Sequence, residues 1–200
     1  MSKIKENGEK YMKNIIVLLL TSLLFLGCSS NGAQKQNIEP KLVVGNTLEN
    51  LTLKDQFGKE HNIKADTYRL VFAFSKEPAH TCNNFFNAKD KDYLTKHHTQ
   101  FIADVSAAPS VIRNLFILPG LKDFQYTVLI MDDEKVAAPF RVNMDPEKIA
   151  IVYIINKKID KITVLKTEDE LKKELEDDSM FSTLVPMLNQ AIDTTSKMMK

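Results

Sequence analysis

Cysteine and glycine are scarce in this chain of 200 residues, which contains 2 cysteines and 6 glycines. So few glycines leave little material for the glycine-rich loops that hold nucleotide phosphates, and no such motif is present. A surplus of one charge is also missing, because 27 basic and 26 acidic residues give a formal net charge of +1. The sequence therefore offers no long-range field that would attract nucleic acid or anionic lipid, and we predict no nucleic-acid partner.

A short apolar run near the amino terminus, from Ile15 to Leu26, follows the basic residue Lys13. A membrane-spanning helix needs about 20 apolar residues, so this run is too short for one and instead fits the apolar region of a signal peptide. The run ends in Leu-Phe-Leu-Gly-Cys, which resembles the lipobox of bacterial lipoproteins, with Phe25 where that motif usually has leucine. The resemblance implies that residues 1–27 are a signal peptide and that Cys28 becomes a lipidated amino terminus carrying fatty acids such as palmitate.

The residues on either side of the lipobox predict the start of translation, a tether and the target membrane. Glu6 and Glu9 are unusual in a signal peptide, whose first region is normally basic, so we predict that translation starts at Met12. Residues 28–41 are polar and irregular, which predicts a lipidated tether. Ser29 follows the lipidated position, and by resemblance to enterobacterial sorting this implies the outer rather than the inner membrane. The predicted location is the cell envelope, with the domain facing the periplasm.

The second cysteine, Cys82, is then the only thiol of the mature chain. A single thiol excludes an intramolecular disulfide, and it also excludes a CxxC oxidoreductase mechanism, since that mechanism exchanges two thiols.

Hydrophobic patterning predicts alternating strands and helices between about residue 42 and residue 178. The predicted strands are a hairpin over Leu51–Ile63, then Leu70–Phe74, Phe101–Val105, Tyr126–Met131, Ile149–Ile155 and Ile159–Leu165. The predicted helical segments are a mixed loop and helix over Pro78–His98, a helix that starts after Pro109 and ends at Pro119-Gly120, a helix opened by a Thr167/Glu170 capping box, and an amphipathic helix over Ser179–Lys200.

This order predicts an α/β fold, with a mixed sheet flanked by helices, an N-terminal β-hairpin and an extra C-terminal helix. It resembles the thioredoxin-like fold, in particular its peroxiredoxin-like branch, in which a reactive cysteine follows the first core strand. The resemblance covers residues 42–178 and implies that Cys82 corresponds to the peroxidatic cysteine. Residues 179–200 are predicted to be a separate amphipathic helix.

The motif around Cys82 departs from that family. The family's proline falls on Ser75 and its threonine on Ala79, whose missing hydroxyl would otherwise hydrogen-bond the cysteine and the peroxide. The family's arginine before the late strand is also missing, and Lys148 is the nearest basic residue there. Two alternatives stay open. Cys82 is a reactive thiol at a helix N-terminus near Lys76 and His80, or it is a buried cysteine that packs like a small apolar residue.

Metal and cofactor sites are not predicted. His80 and Cys82 are close in sequence and His61, His97 and His98 exist elsewhere, but no recurring ligand spacing joins them, and zinc needs three or four converging ligands. The acidic runs Asp132–Glu134 and Glu174–Asp178 read as solvated turns or helix faces.

The sequence therefore favours a membrane-anchored envelope protein whose domain is a non-catalytic binding or assembly module. Its predicted partners are the membrane, through the lipid on Cys28, and another envelope protein. The alternative is a single-cysteine thiol oxidoreductase or peroxidase in which Cys82 passes through a sulfenic acid. Fold alone does not choose between them.

Overall fold

The computed structural model describes residues 38–48 and 50–177. The predicted signal peptide (residues 1–27), the lipidated Cys28, the tether as far as residue 37 and the predicted helix over residues 179–200 lie outside the described residues. Within residues 38–48 and 50–177, no helix has both the length and the apolar character needed to cross a bilayer.

The described residues form a seven-stranded mixed sheet with the order β2-β1-β5-β4-β3-β6-β7. Strands β3, β4 and β5 are parallel, whereas β1 runs antiparallel to β2 and β5, and β6 runs antiparallel to β3 and β7. The strands are β1 (Thr52–Asp55), β2 (Glu60–Asn62), β3 (Arg69–Ala73), β4 (Thr99–Asp104), β5 (Val128–Met131), β6 (Ile149–Ile155) and β7 (Lys158–Leu165).

Helices cover both faces of this sheet. They are α1 (Lys76–Asn87), α2 (Tyr93–Lys96), α3 (Ser110–Ile112), a π-helical turn (Arg113–Ile117), α4 (Leu118–Leu121), α5 (Glu134–Arg141) and α6 (Glu168–Glu176). One core cluster joins α1 and α6 to one face of the sheet, and a second joins α5 to the other face. Because β3 has apolar neighbours on both faces, all five of its residues are buried.

The predicted fold class is confirmed by this arrangement: a mixed sheet flanked by helices, an N-terminal hairpin, and an antiparallel β6–β7 pair followed by a helix. The capping box that opens α6 is also confirmed, since Thr167 accepts from the Glu170 backbone N–H while Glu170 accepts from the Thr167 N–H. A buried arginine, Arg69, fixes the other end of α6, because its Nη1 donates to the carbonyl oxygens of Glu174 and Leu175.

Several predicted boundaries are wrong. Strand β4 begins at Thr99 rather than Phe101, because Gln100 is buried with its side-chain amide accepting from Thr67 and donating to a backbone carbonyl. The helical segment after Pro109 continues through Pro119 and Gly120 and ends at Leu121, one residue beyond the predicted end.

Candidate functional site

Cys82 lies in the middle of α1, six residues after the first residue of that helix, Lys76. One of the two alternatives left open by the sequence placed this thiol at a helix N-terminus, and that placement is wrong, because α1 begins directly after Ser75. The side chain is 0% exposed and packs in the core cluster with Phe85 and Phe86 of the same helix. The thiol therefore faces the sheet and not the helix end.

Electrostatics around Cys82 oppose thiolate formation. Burial raises the pKa of the Cys82 thiol far above its ordinary value, and no compensating cation contributes. The basic residues near it in sequence do not change this: Lys76 and His80 are exposed on α1. Lys148, which stands near the position of the family's arginine, forms an ion pair with Asp145 at 3.4 Å. Cys82 therefore lies in a desolvated, apolar environment that disfavours its thiolate.

The N-terminus of α1 is the place where backbone N–H groups would stabilise an anion, and no thiol lies there. Ser75 occupies the N-cap position without a side-chain capping bond. Its Oγ is buried and has no hydrogen-bond partner among the described residues. The position that the resemblance assigns to the family's threonine, Ala79, packs against the core cluster.

A polar cluster occupies the carboxyl ends of β4 and β5, the edge of a parallel sheet where α/β proteins commonly bind ligands. The fully buried Asp104 carboxylate accepts from the backbone N–H and the Oγ of Ser106, at 2.9 and 2.6 Å. Arg141 lies with its Nε 3.5 Å from Asp104 and also pairs with Glu134. Arg113 donates to the carbonyl oxygen of Ser106 at 3.2 Å. Two carboxylates thus pair with one guanidinium group, that of Arg141, while Arg113 bonds the backbone of the loop, so this cluster holds the loop ends together.

The histidines of the described residues do not form a common metal site. His61 contacts Asp55 across the hairpin, with 2.7 Å between Nε2 and Oδ2. His97 stacks on Tyr93, and His98 lies 3.4 Å from Asp66. Among the described residues, no three histidine, cysteine or acidic side chains come together in a way that would hold a metal ion.

The prediction that the acidic residues of α6 form a solvated helix face is wrong for one of them, Glu174. Glu174 is partly buried, and its Oε1 accepts from the hydroxyl groups of Tyr153 and Thr163 at 2.5 and 3.2 Å and from Lys161 at 3.1 Å. Burial by itself raises the pKa of Glu174, but the hydrogen bonds from Tyr153 and Lys161 outweigh it and leave the pKa below its ordinary value. Glu174 therefore joins α6 to the β6–β7 pair.

An open cleft lies beside the amino ends of β4 and β5. Its lining includes His61, Lys64 and Lys91 together with polar side chains of β4. Cys82 is not part of this lining.

The helical segment from Ser110 to Leu121 turns an apolar face to solvent. Ile117, Leu118 and Leu121 pack against the core cluster, whereas four other apolar residues are exposed by 45% to 66%. We call these four the 111–116 face: Val111, Ile112, Leu115 and Phe116. Helical spacing identified these residues in the sequence, but spacing alone does not tell which apolar residues face the core.

Comparison with known proteins gives structural similarity alone. No protein-family model matches the chain, and no curated protein matches it. Among solved structures, the peroxidoxin BcpB from Mycobacterium tuberculosis is 14% identical, with 66% of this chain and 92% of that chain covered and a TM-score of 0.44. A putative thiol:disulfide interchange protein DsbE from Chlorobium tepidum is 14% identical, with 74% and 99% covered and a TM-score of 0.46.

A thiol peroxidase from Chromobacterium violaceum is also 14% identical, with 70% and 90% of the two chains covered and a TM-score of 0.40. Identities and TM-scores this low carry no information about activity. The strand order and pairing described above, rather than these similarities, are the basis for the thioredoxin-like α/β assignment.

Proposed function

We propose that this chain is a lipid-anchored envelope protein whose thioredoxin-like domain binds another envelope protein and performs no thiol chemistry. The observation that carries the proposal is the position of Cys82, which is 0% exposed in the middle of α1. A thiol nucleophile must reach its substrate as a thiolate, and burial opposes both access and ionisation here.

The alternative enzyme requires features that the described residues do not provide. A peroxidatic cysteine needs a stabilised thiolate at a helix N-terminus or beside a cation, whereas the N-terminus of α1 carries Ser75 and Glu77 instead. At the carboxyl edge of the sheet, Asp104 and Glu134 both pair with Arg141, and Ser106 donates to Asp104, so these carboxylates hold the loop ends. These observations support a binding role for the domain.

The membrane location is a proposal that rests on the sequence. Leu24–Cys28 supports lipidation of Cys28, and Ser29 supports transport to the outer membrane, with the domain in the periplasm. Growth with an alkyne-labelled fatty acid tests this part. We expect label on the wild-type chain and none on the Cys28→Ser variant; equal label on both variants would contradict the proposal.

Peroxide consumption and in-cell crosslinking test the functional part. With an excess of a small thiol reductant, we expect the wild-type chain to consume hydrogen peroxide no faster than the Cys82→Ala variant. Crosslinking in intact cells should give a discrete adduct with another envelope protein, in the same yield for wild type and Cys82→Ala. Peroxide turnover that depends on Cys82, or an adduct that is lost in Cys82→Ala, would favour the thiol enzyme.

A further inference from the structure

The cleft beside the amino ends of β4 and β5 gathers basic side chains from separate parts of the chain. His61 belongs to β2, Lys64 to the loop after β2, and Lys91 to the loop between α1 and α2. Among the described residues, no acidic side chain is part of the lining. Because the whole chain carries 27 basic and 26 acidic residues, this grouping is a local segregation of charge rather than a general excess.

The two lysines of this cleft are not neutralised by the protein. Within residues 38–48 and 50–177, neither Lys64 nor Lys91 has a carboxylate at ion-pair distance. Asp92, the neighbour of Lys91 in the sequence, pairs with Lys96 at 2.9 Å instead. Both lysines are exposed, so their ammonium groups are available to an anion from solution.

A buried glutamine, Gln100, holds one side of this cleft in place. Its Oε1 accepts from the backbone N–H of Lys64 at 3.2 Å and from the hydroxyl group of Thr67 at 2.8 Å, and its Nε2 donates to the carbonyl oxygen of Asn62 at 3.2 Å. These three hydrogen bonds fix the backbone from which the Lys64 side chain extends. The loop is therefore ordered before a ligand binds, which lowers the entropy that binding would cost.

Apolar side chains and hydroxyl groups complete the lining. The apolar ones, Leu94, Phe101 and Leu129, are buried, whereas Thr95 and Thr127 are exposed. Ammonium groups pair with carboxylates, and hydroxyl groups donate hydrogen bonds to them. Apolar atoms beside these donors add contact area for an apolar body, which inorganic phosphate does not have. The lining therefore suits a carboxylate that is attached to a short apolar chain.

We propose that this cleft binds a small organic carboxylate, which pairs with Lys64 and Lys91 and lays its apolar part against the buried side chains of the lining. The cleft lies at the amino edge of the parallel strands, whereas α1 begins after the carboxyl end of β3. Binding there therefore involves neither the N-terminus of α1 nor Cys82. This inference does not depend on whether the domain binds an envelope partner.

Saturation-transfer NMR with hexanoate tests the proposal on the full mature chain in a nonionic detergent, with detergent alone as the blank. Each exposed ammonium should contribute about threefold to affinity, so Lys64→Gln/Lys91→Gln should bind about tenfold more weakly than the wild type. The matched control, Lys76→Gln/Lys135→Gln, removes the same charge from exposed lysines outside the lining and should bind like the wild type. Equal affinity of the three chains, or no saturable binding by the wild type, would overturn the proposal.

Hexanol in the same assay separates recognition of the carboxylate from apolar contact elsewhere, including contact with the 111–116 face. It has the same apolar chain without the charge, so it should bind the wild type about tenfold more weakly than hexanoate does. The lysine substitutions should leave its binding unchanged. Hexanol affinity equal to that of hexanoate would show that apolar surface alone binds these molecules, and the proposal would then be wrong.

Trace acetylation of the unsubstituted chain locates the ligand without any variant. At a hexanoate concentration of about twice its Kd, Lys64 and Lys91 should react with acetic anhydride about threefold more slowly, because about two thirds of the sites are occupied. Peptide mass spectrometry measures each rate, and Lys76 and Lys135 should react as fast as without hexanoate. Equal protection of all four lysines, or protection of none, would place the ligand outside the cleft and overturn the proposal.

Discussion

Replacement of Cys82 by serine and by alanine tests whether this cysteine belongs to the core. Alanine removes the sulfur and leaves a void of about methyl size, which costs about 1 kcal/mol. Serine leaves a similar void and in addition buries a hydroxyl group among Phe85, Phe86 and their neighbours, which adds about 1–3 kcal/mol. A bond from the serine hydroxyl to the carbonyl oxygen of Pro78, four residues earlier, would keep the added cost near the lower end.

Urea unfolding of a chain that begins at Ser29, followed by circular dichroism, measures both differences. We expect Cys82→Ser to be less stable than Cys82→Ala by about 1–3 kcal/mol, and each kcal/mol should lower Tm by about 2–4 °C in a domain of this size. The exposed neighbour provides the control, since His80→Ala should change stability by no more than about 0.5 kcal/mol. Equal stability of the serine and alanine variants would mean that the site is polar or hydrated, and the argument from burial would then fail.

Substitutions at three further positions test the interactions that start α6 and hold it to the sheet. Glu174→Gln should cost about 1 kcal/mol at neutral pH, because the hydrogen bond from Tyr153 then meets a neutral amide. The pKa of Glu174 in the folded chain lies below its ordinary value of 4.5. The stability contributed by the ionised carboxylate is therefore present above pH 4.5 and is lost as the pH falls through the folded pKa. Urea unfolding of the wild-type chain and of Glu174→Gln should accordingly give free energies of unfolding that converge in acid. Arg69→Met should lower the free energy of unfolding by about 1.5–3 kcal/mol in the same assay, because methionine keeps the apolar stem but removes the donor to the last carbonyl oxygens of α6. Unchanged stability would show that this contact is unimportant. Thr167→Ala should cost about 1 kcal/mol through loss of the cap, and Thr167→Ser should restore most of it.

The strands were the most predictable part of this fold. Runs such as Leu70–Phe74 and Ile149–Ile155 are continuous and apolar, and the structure places a buried strand at each. The start of the strand that contains Thr99 and Gln100 was harder to delimit, because the polar residue Gln100 is buried only when distant partners satisfy its side chain. Gln100 accepts from Thr67, which lies 33 residues earlier, and no local pattern reveals such a partner.

The candidate site could be predicted only in part. The sequence identified Cys82 and left its two alternatives open, because the start of α1 decides between them. A helix that began a few residues later would have put the thiol at its N-terminus. Ser75, a preferred N-cap residue, and the acidic Glu77 in the first turn are the sequence signals that mark the earlier start. The exposure of Leu115 and Phe116 was unpredictable for a related reason: Ile117 and Leu118 belong to the same helical segment, and tertiary packing selects which pair faces the core.

The pH dependence of alkylation at Cys82 tests the central claim most directly. The chain that begins at Ser29 contains one thiol, so its reaction with iodoacetamide can be followed without ambiguity, with the urea-unfolded chain as the reference for a fully accessible cysteine. We predict that the native thiol reacts far more slowly than the unfolded one at every pH, and that its rate shows no inflection below the ordinary cysteine pKa of about 8.5. A native rate that equals or exceeds the unfolded rate, with an inflection below about pH 7, would contradict the account and identify Cys82 as a reactive thiol.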